Sequence, residues 1–244
     1  MARRRRLDVE LASRGLFPDV DSAMRAVLAG DISTEGRRLD HPGEQVGSDT
    51  VLHVRAHDRY VSRGGEKLEG GLQAFKIDPC GLRCLDVGCS TGGFTDCLLR
   101  HGASHVVAVD VGRAQFSWEL RCNPRVKLLE RTNIVDIATP EYASTIDFAV
   151  CDVSFTSVRV VLPAVMCLLK PTGSFLTLVK PQFEAAREDV GAGGIVRDEA
   201  VRQAALENIA TAFRQAGLTV RGSCVSPIKG HKGNVEYLLY GVCG

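Results

Sequence analysis

The sequence predicts an α/β fold in which a doubly wound, mostly parallel sheet of seven strands follows a small α+β unit. From residue 82 onward, short apolar runs of strand length alternate with helical runs, which is typical of successive βαβ units. One apolar run passes through an acidic residue into a glycine-rich turn at 85–94, as strands do where they enter a ligand-binding loop. These two observations carry the prediction.

The composition is that of an ordinary globular protein. The chain has 244 residues, of which 45% are hydrophobic, so one large or two modest domains can bury a core. The net charge of +1 offers no global attraction for a polyanion, and any basic surface has to be local. No run reaches the roughly 18–20 apolar residues that span a bilayer, and no apolar segment of a signal peptide follows the N-terminal arginines. We therefore expect a cytoplasmic protein without membrane partners.

The cysteines predict a reduced protein without a metal site. There are nine of them, mostly within apolar runs and never as Cys-x-x-Cys, which favours buried thiols over disulfides or zinc ligands. His53 and His57 are four residues apart but have no obvious third ligand. We expect no bound metal.

The first 54 residues are predicted to form a separate unit of two helices followed by short strands. Arg14-Gly15 stops the first helix, Asp19 or Asp21 caps the second, and Gly30 ends it. Alternating runs and turn residues then indicate a small sheet. The polar residues 55–62 are expected to link this unit to the domain at 63–244.

The N-terminal pattern contains Leu7-Asp8-x-x-Leu11-x-x-Arg14-Gly15-Leu16, then Gly36 and Pro42-Gly43. It resembles the S-four-type RNA-binding domain, which implies that basic side chains on one helix face hold RNA phosphates. Asp19-Val20 stands where that family usually has Ser-Arg, so one phosphate contact is missing. Arg4, Arg6 and Arg14 are the remaining candidates, and a solvated surface of mixed charge is the alternative.

The glycine-rich turn, Leu85-Asp86-Val87-Gly88-Cys89-Ser90-Thr91-Gly92-Gly93-Phe94, predicts a cofactor pocket. Its spacing matches neither the dinucleotide-binding fingerprint nor a P-loop, and it has no basic residue to neutralise a polyphosphate. Its acidic residue suits a ligand that carries an amine or hydroxyls, and Asp110 at the end of the next strand can hold a ribose. S-adenosylmethionine fits best, while a purely structural turn or a degraded dinucleotide site stays open.

Charged residues follow other predicted strands. Asp152 follows the fourth and Lys180 the fifth, and Glu236 reaches the same edge if the last strand runs antiparallel. Pro181 fixes the direction of the lysine, and the two carboxylates are expected to flank it and tune its proton affinity. The alternative is an ion pair that only closes the strand ends.

Several stretches together resemble one enzyme family. They are Val61-Ser62-Arg63-Gly64-Gly65-Glu66-Lys67-Leu68, Ser90-Thr91-Gly92-Gly93-Phe94, Glu130-Arg131-Thr132-Asn133, Asp152-Val153-Ser154-Phe155, Val179-Lys180-Pro181-Gln182-Phe183-Glu184 and Gly233-Asn234-Val235-Glu236-Tyr237. Together they are similar to the TlyA family, often labelled haemolysin A, among the FtsJ-type ribose 2′-O-methyltransferases. The resemblance covers nearly the whole chain and implies a Rossmann-like seven-stranded sheet that uses S-adenosylmethionine.

The resemblance implies methyl transfer to the 2′-hydroxyl of a cytidine in ribosomal RNA within ribosomal subunits. The large subunit is favoured because the chain stops soon after its last strand, whereas relatives that act on both subunits tend to have a further tail. Lys67, Asp152, Lys180 and Glu236 fall at the family's catalytic tetrad. Lys180 is expected to act as the base or to stabilise the oxyanion, the two carboxylates to tune it, and Lys67 to orient the hydroxyl.

The same resemblance implies a set of cofactor-binding residues. These are Asp86, Gly88, Ser90, Thr91 and Gly92 toward methionine and ribose, Asp110 at the ribose hydroxyls, and Thr132, Asn133 and Asp136 near adenine. Phe155 is expected either beside the cofactor or in the core. Gly191-Ala192-Gly193-Gly194 is expected to be a mobile loop that orders on the substrate.

Two other function classes compete with this interpretation. The haemolysin label suggests a membrane-lytic protein, which the sequence supports poorly because it has no spanning segment. An RNA-binding ribosome assembly factor without activity is the other, and the four tetrad residues argue against it.

Overall fold

The computed structural model describes residues 4–54, 59–113 and 115–244. The chain divides into two compact units, Met1–Asp58 and Arg59–Gly244. The division falls within the segment predicted as the linker, of which residues 55–58 lie outside the described residues, as does His57 of the histidine pair considered above.

The first unit packs two helices against short strands. Its elements are β1 (Arg4–Arg6), α1 (Leu7–Ser13), α2 (Val20–Ala29), β2 (Ile32–Thr34), β3 (Arg37–Leu39), β4 (Gln45–Gly47) and β5 (His53–Val54). Strands β1 and β4 pair with each other, while β2 lies between β3 and β5. Both helices contribute to one apolar core with Ile32 and Leu39.

The caps of α2 follow the sequence prediction. The Asp19 carboxylate accepts a hydrogen bond from the Ser22 N–H at 2.7 Å, and Gly30 ends the helix in the left-handed conformation. Strand β1 was not predicted, because three consecutive arginines carry no strand pattern. It forms by antiparallel pairing of its backbone with β4.

The second unit alternates strands and helices. Its elements are α3 (Gly64–Phe75), β6 (Arg83–Val87), α4 (Gly93–Arg100), β7 (His105–Asp110), α5 (Trp118–Arg121), β8 (Val126–Glu130), β9 (Ile146–Cys151), α6 (Val158–Leu168), β10 (Leu169–Val179), α7 (Pro181–Glu184), α8 (Glu199–Gln215), β11 (Leu218–Val225) and β12 (Tyr237–Cys243). Short 3₁₀ turns cover Ile134–Ile137, Arg187–Asp189 and His231–Gly233.

The second unit's strands form one seven-stranded sheet in the order β11-β12-β10-β9-β6-β7-β8. Strand β12 is antiparallel to both of its neighbours, and the other pairs are parallel. This confirms the predicted fold class. The chain runs outward from β6 to β8 and then returns to place β9 on the other side of β6. Ligands of open α/β sheets bind at such a switch point, outside the carboxyl ends of the strands.

Apolar clusters cover both faces of this sheet. One contains Phe175 and Phe213, whose rings stack with centroids 5.1 Å apart, and the other contains Phe148. Burial on both faces explains why the central strands read as nearly continuous apolar runs. Among the described residues, no helix is long and apolar enough to cross a membrane.

Two local predictions were wrong. The apolar run from Val235 to Tyr240 predicts the last strand, but the strand begins at Tyr237, because residues 231–233 form a 3₁₀ turn and the Asn234 side chain bonds to the loop at 194–196. All nine cysteines are free thiols, but Cys80, Cys122 and Cys167 are exposed rather than buried.

Candidate active site

Three adjoining cavities lie along the carboxyl edge of the sheet. The first, of about 280 Å³, is lined by residues that include Ser90, Thr91, Asp152 and Lys180. The second, of about 620 Å³, is lined by Gly88, Asp110, Thr132, Asn133 and Phe155 among others. The third, of about 460 Å³, has Lys67, Lys180, Glu236, Phe155 and Phe183 in its wall. Ser154 lines all three cavities.

The turn after β6 is built on glycine. Gly88 has a φ of 80°, and a Cβ on it would lie 2.8 Å from the Asp152 carbonyl oxygen. The Gly88 N–H donates to the Val109 carbonyl at 2.9 Å, and the Asp152 N–H donates to the Val87 carbonyl at 2.9 Å. The turn is therefore held between β7 and β9, where only glycine fits. Gly92 lines none of these three cavities; it precedes α4 as its N-cap, with a φ of 97°.

Asp110 ties the turn to the end of β7. Its carboxylate accepts hydrogen bonds from the Ser90 and Gly112 N–H groups, both at 2.7 Å, and it lines the second cavity. Asn133 lines the same cavity and caps the 3₁₀ turn that follows it. Asp136 completes that capping box and is not among the cavity residues, so its carboxylate serves the turn.

Asp86 lies fully buried beneath the turn. Its Oδ2 accepts a hydrogen bond from the Thr95 hydroxyl at 2.6 Å, whereas its Oδ1 has no hydrogen-bond partner among the described residues. Burial, together with the negative charge of Asp152, raises the pKa of this carboxyl to about 7. An uncompensated acceptor at this place suits a ligand or water that donates a hydrogen bond or carries positive charge.

We expect Asp86→Asn to change how stability depends on pH. The folded-state pKa of about 7 lies above the ordinary value of 3.8, so between these pH values the unfolded carboxyl ionises while the folded one keeps its proton. Ionisation of the unfolded carboxyl therefore lowers the free energy of unfolding of the wild type as pH rises. The variant has no such group, so its free energy of unfolding relative to that of the wild type should rise by up to about 4 kcal/mol between pH 4 and pH 7. Urea unfolding followed by fluorescence of Trp118, the single tryptophan, measures this in the second unit. A difference that is equal at both pH values contradicts the expectation.

The four predicted catalytic side chains form two ion pairs beside the cavities. Lys67 Nζ lies 2.6 Å from Glu236 Oε2, and Lys180 Nζ lies 2.6 Å from Asp152 Oδ1. Lys180 Nζ also donates to Ser154 Oγ at 2.8 Å. The Glu236 side chain is 2% exposed and that of Lys180 is 10% exposed, so both pairs act in a region of weak solvent screening.

The elements explain how residues so distant in sequence meet. Lys67 lies in the first turn of α3, Asp152 directly follows β9, and Lys180 precedes Pro181 at the start of α7. Glu236 stands one residue before β12, whose antiparallel direction brings it to the carboxyl edge. The pairing differs from the expectation in one respect, because Glu236 contacts Lys67 rather than Lys180.

Sequence reasoning did not assign roles to Ser154 and Glu184. The Glu184 carboxylate accepts from the Val158 N–H at 2.8 Å and from the Ser157 hydroxyl at 2.5 Å, which fastens α7 to the loop after β9. Both residues stand in stretches that were recognised as motifs, but their partners lie on other loops. Only the spatial arrangement identifies the contacts.

Phe155 does not lie in the core, so that alternative is wrong. Its side chain is 91% exposed, its φ is 62°, and its ring centroid lies 5.2 Å from that of Phe183. It stands between the second and third cavities. The loop at 191–194 is hydrogen-bonded to the segment at 231–234. Asn234 Nδ2 donates to the Gly194 carbonyl at 2.8 Å, and Lys232 Nζ donates to the Gly193 carbonyl at 3.1 Å.

The predicted RNA-binding arginines differ in their availability. Arg4 is exposed, and Arg6 is largely exposed while it pairs with the buried Asp8 at 2.6 Å. Arg14 donates to the Glu10 carboxylate at 2.9 Å and to the Thr50 carbonyl at 2.7 Å. It also donates to the carbonyls of residues 47 and 48, so its guanidinium stabilises the first unit's own fold.

The glycine turn contains no basic residue and lies in a cleft at the switch point of the sheet, next to two lysine–carboxylate pairs. This combination is typical of a methyltransferase of the Rossmann-like class. The chain belongs to the FtsJ-like methyltransferase family, whose model matches residues 60–242. It is 44% identical over 241 residues to YqxC of Bacillus subtilis, a candidate rRNA methyltransferase, covering 98% of this chain and 86% of that protein.

Another relative is TlyA of Mycobacterium tuberculosis, named as a 16S/23S rRNA (cytidine-2′-O)-methyltransferase. It is 42% identical over 242 residues, covering 98% of this chain and 90% of that protein. Among solved structures, a candidate hemolysin from Streptococcus thermophilus is 40% identical with a TM-score of 0.72, covering 100% of this chain and 90% of that one. The relatedness therefore extends over both units.

Proposed function

We propose that this protein transfers the methyl group of S-adenosylmethionine to the 2′-hydroxyl of a cytidine in ribosomal RNA. One observation carries the proposal: Lys180 and its partner Asp152 lie where the cavities meet, because Asp152 lines the first and second cavities and Lys180 lines the first and third. A basic side chain between a donor cleft and a substrate cleft is what methyl transfer to a hydroxyl requires. The curated relatives, named for rRNA and for cytidine 2′-O, support the choice of substrate.

The residues of the second cavity fit S-adenosylmethionine. Gly88 has no side chain to obstruct the cavity, and Asp110 presents a carboxylate for ribose hydroxyls. Among the described residues of the wall there is no lysine or arginine of the kind a polyphosphate needs. The orphaned Oδ1 of Asp86 beneath the turn suits the positive charge of the methionine portion. When bound, this cofactor supplies an electrophilic methyl group. The residues proposed to contact it are Ser90, Thr91, Thr132, Asn133 and Phe155.

Lys180 acts in this mechanism on the ribose hydroxyl. A hydroxyl is a weak nucleophile, so removal of its proton, or stabilisation of the charge that develops on its oxygen, lowers the barrier. Asp152 keeps the lysine at the junction of the cavities. Lys67 reaches the third cavity from α3 and orients the hydroxyl, and the buried Glu236 holds Lys67 in place.

The third cavity is proposed to receive the target nucleotide. Phe155 and Phe183 form an aromatic side of it, and Lys232 adds positive charge. Nucleobases stack on exposed aromatic rings, and phosphates pair with lysine. We further propose that residues 1–54 are an S-four-type RNA-binding domain, that 55–62 link it to the methyltransferase domain at 63–244, and that Arg4 and Arg6 contact RNA phosphates.

Methyl transfer to isolated ribosomal subunits tests this function. We expect label from the methyl group of S-adenosylmethionine in large-subunit RNA, at a cytidine whose 3′ linkage then resists alkaline cleavage. Label found only in free small subunits contradicts the large-subunit expectation. Binding of S-adenosylmethionine without transfer to either subunit overturns the proposed reaction and favours an assembly factor. Lysis of vesicles without cofactor binding favours the membrane-lytic alternative.

A further inference from the structure

Ser154 contacts the proposed catalytic lysine directly. It is the side-chain hydrogen-bond acceptor of Lys180, with Nζ and Oγ 2.8 Å apart, and it lines all three cavities of the carboxyl edge. Lys180 has a second polar contact, the ion pair with Asp152 at 2.6 Å. Its Nζ is thus approached by two acceptors on one loop.

We propose that Ser154 is a positioning residue that, together with Asp152, fixes the direction in which Lys180 presents its reactive valence to the substrate hydroxyl. The inference rests on the proposed function and adds a residue to it. A tetrahedral amine nitrogen has one bond to Cε and three remaining directions. Ser154 accepts a hydrogen bond along one of these directions, while the Asp152 carboxylate attracts the nitrogen by charge from 2.6 Å. Together they restrict rotation about Cε–Nζ, so that a remaining direction faces the substrate hydroxyl. Without Ser154 no hydrogen bond fixes that rotation.

The loop that carries Ser154 is held independently of this contact. Glu184 binds the Ser157 hydroxyl and the Val158 N–H a few residues further along, and the Asp152 N–H bonds to the Val87 carbonyl. Removing the Ser154 hydroxyl therefore leaves the loop attached at both ends. The effect of its loss falls on Lys180 and not on the path of the backbone, which makes alanine a clean substitution.

The charged and titratable surroundings of Lys180 are the same in such a variant. Asp152 lies on the loop after β9 and the Cys151 thiol at the end of that strand, while Lys67 on α3 and Glu236 before β12 line the third cavity. His231 and Lys232 line it from the 3₁₀ turn. The variant removes one hydrogen-bond acceptor and no charge from these surroundings, so a change in kcat reports the orientation of Lys180.

The experiment compares Ser154→Ala, Ser154→Thr and Ser157→Ala in methyl transfer to ribosomal subunits. For Ser154→Ala we expect a 10- to 100-fold lower kcat, with RNA KM and S-adenosylmethionine Kd within about twofold of wild type. Ser154→Thr keeps a hydroxyl and should restore most of the kcat. Ser157→Ala, which loses a Glu184 contact but none to Lys180, should lower stability without lowering kcat.

Two results would overturn the inference. One is a Ser154→Ala variant with wild-type kcat; the other is an equal loss of kcat in Ser157→Ala, which would mean that loop packing is responsible. Either result leaves the proposed function intact provided that Lys180→Ala is inactive. Absence of transfer by the unsubstituted protein is the separate outcome that refutes the function itself.

Discussion

Lys180→Ala is expected to lower kcat for methyl transfer by about 10²–10⁴-fold while the affinity for S-adenosylmethionine stays within a few-fold of wild type. The side chain is 10% exposed and contacts Asp152 and Ser154 at the junction of the cavities. The loss should appear in kcat and kcat/KM alike, because the interaction is made with the reacting hydroxyl. Single-turnover transfer of labelled methyl to ribosomal subunits measures it.

Lys170→Ala is the matched control. Lys170 lies near the start of β10, the strand that Lys180 directly follows, and it also forms a 2.6 Å ion pair, with Asp147. Its side chain is 41% exposed, and it lines none of the three cavities. Its loss should leave kcat unchanged and cost at most about 1 kcal/mol of stability. Equal losses of activity in the two variants contradict a catalytic role for Lys180.

Lys180→Arg separates the two tasks proposed for this residue. A guanidinium keeps the positive charge but does not give up its proton in the accessible pH range. A variant that retains a substantial part of the activity points to oxyanion stabilisation, whereas a loss as large as that of alanine points to proton removal. Because the arginine side chain is longer, its charged group also lies at a different distance from the substrate. The pH dependence of the residual rate is therefore measured together with its size.

The central sheet was predictable because its physical cause is local. Strands buried on both faces must be apolar throughout, and the turn after β6 needs glycine whatever the rest of the chain does. The predicted start of β12 was wrong because the Asn234 side chain is hydrogen-bonded to the loop at 194–196, about 40 residues away in the sequence. β1 was missed for a similar reason, since its partner strand β4 decides its conformation.

The sequence was sufficient to predict which residues form the site, but not which lysine pairs with which carboxylate. The ends of strands bring Asp152 and Lys180 to one edge, which a sequence can show. Whether Glu236 meets Lys67 or Lys180 depends on where α3 lies against the sheet, and no spacing encodes that. Arg14 shows the same limit, because its contacts with the carbonyls of residues 47, 48 and 50 depend on how the first unit folds.

Gly88→Ala is expected to weaken cofactor binding by moving Asp152. The added Cβ would lie 2.8 Å from the Asp152 carbonyl oxygen and 3.1 Å from its carbonyl carbon, which are backbone atoms that cannot rotate away. Relief requires a shift of the loop after β9, and displacements of this order cost about 10²-fold in rate when they reach a reacting group. We therefore expect the Kd for S-adenosylmethionine to rise by at least tenfold and kcat to fall by about 10²-fold.

Gly81→Ala isolates the steric cause from the conformational one. Gly81 has a φ of 75°, close to the 80° of Gly88, but a Cβ there would meet nothing within 4 Å. Both variants place alanine in the left-handed region, which costs about 1–2 kcal/mol, so both should lose similar stability on that account. Only Gly88→Ala should lose cofactor affinity, as titration followed by Trp118 fluorescence can show, since the Ser117 N–H bonds to the Thr91 carbonyl of the turn. Equal affinity in the two variants would mean that the loop after β9 yields freely, and the turn would then position neither the cofactor nor Asp152.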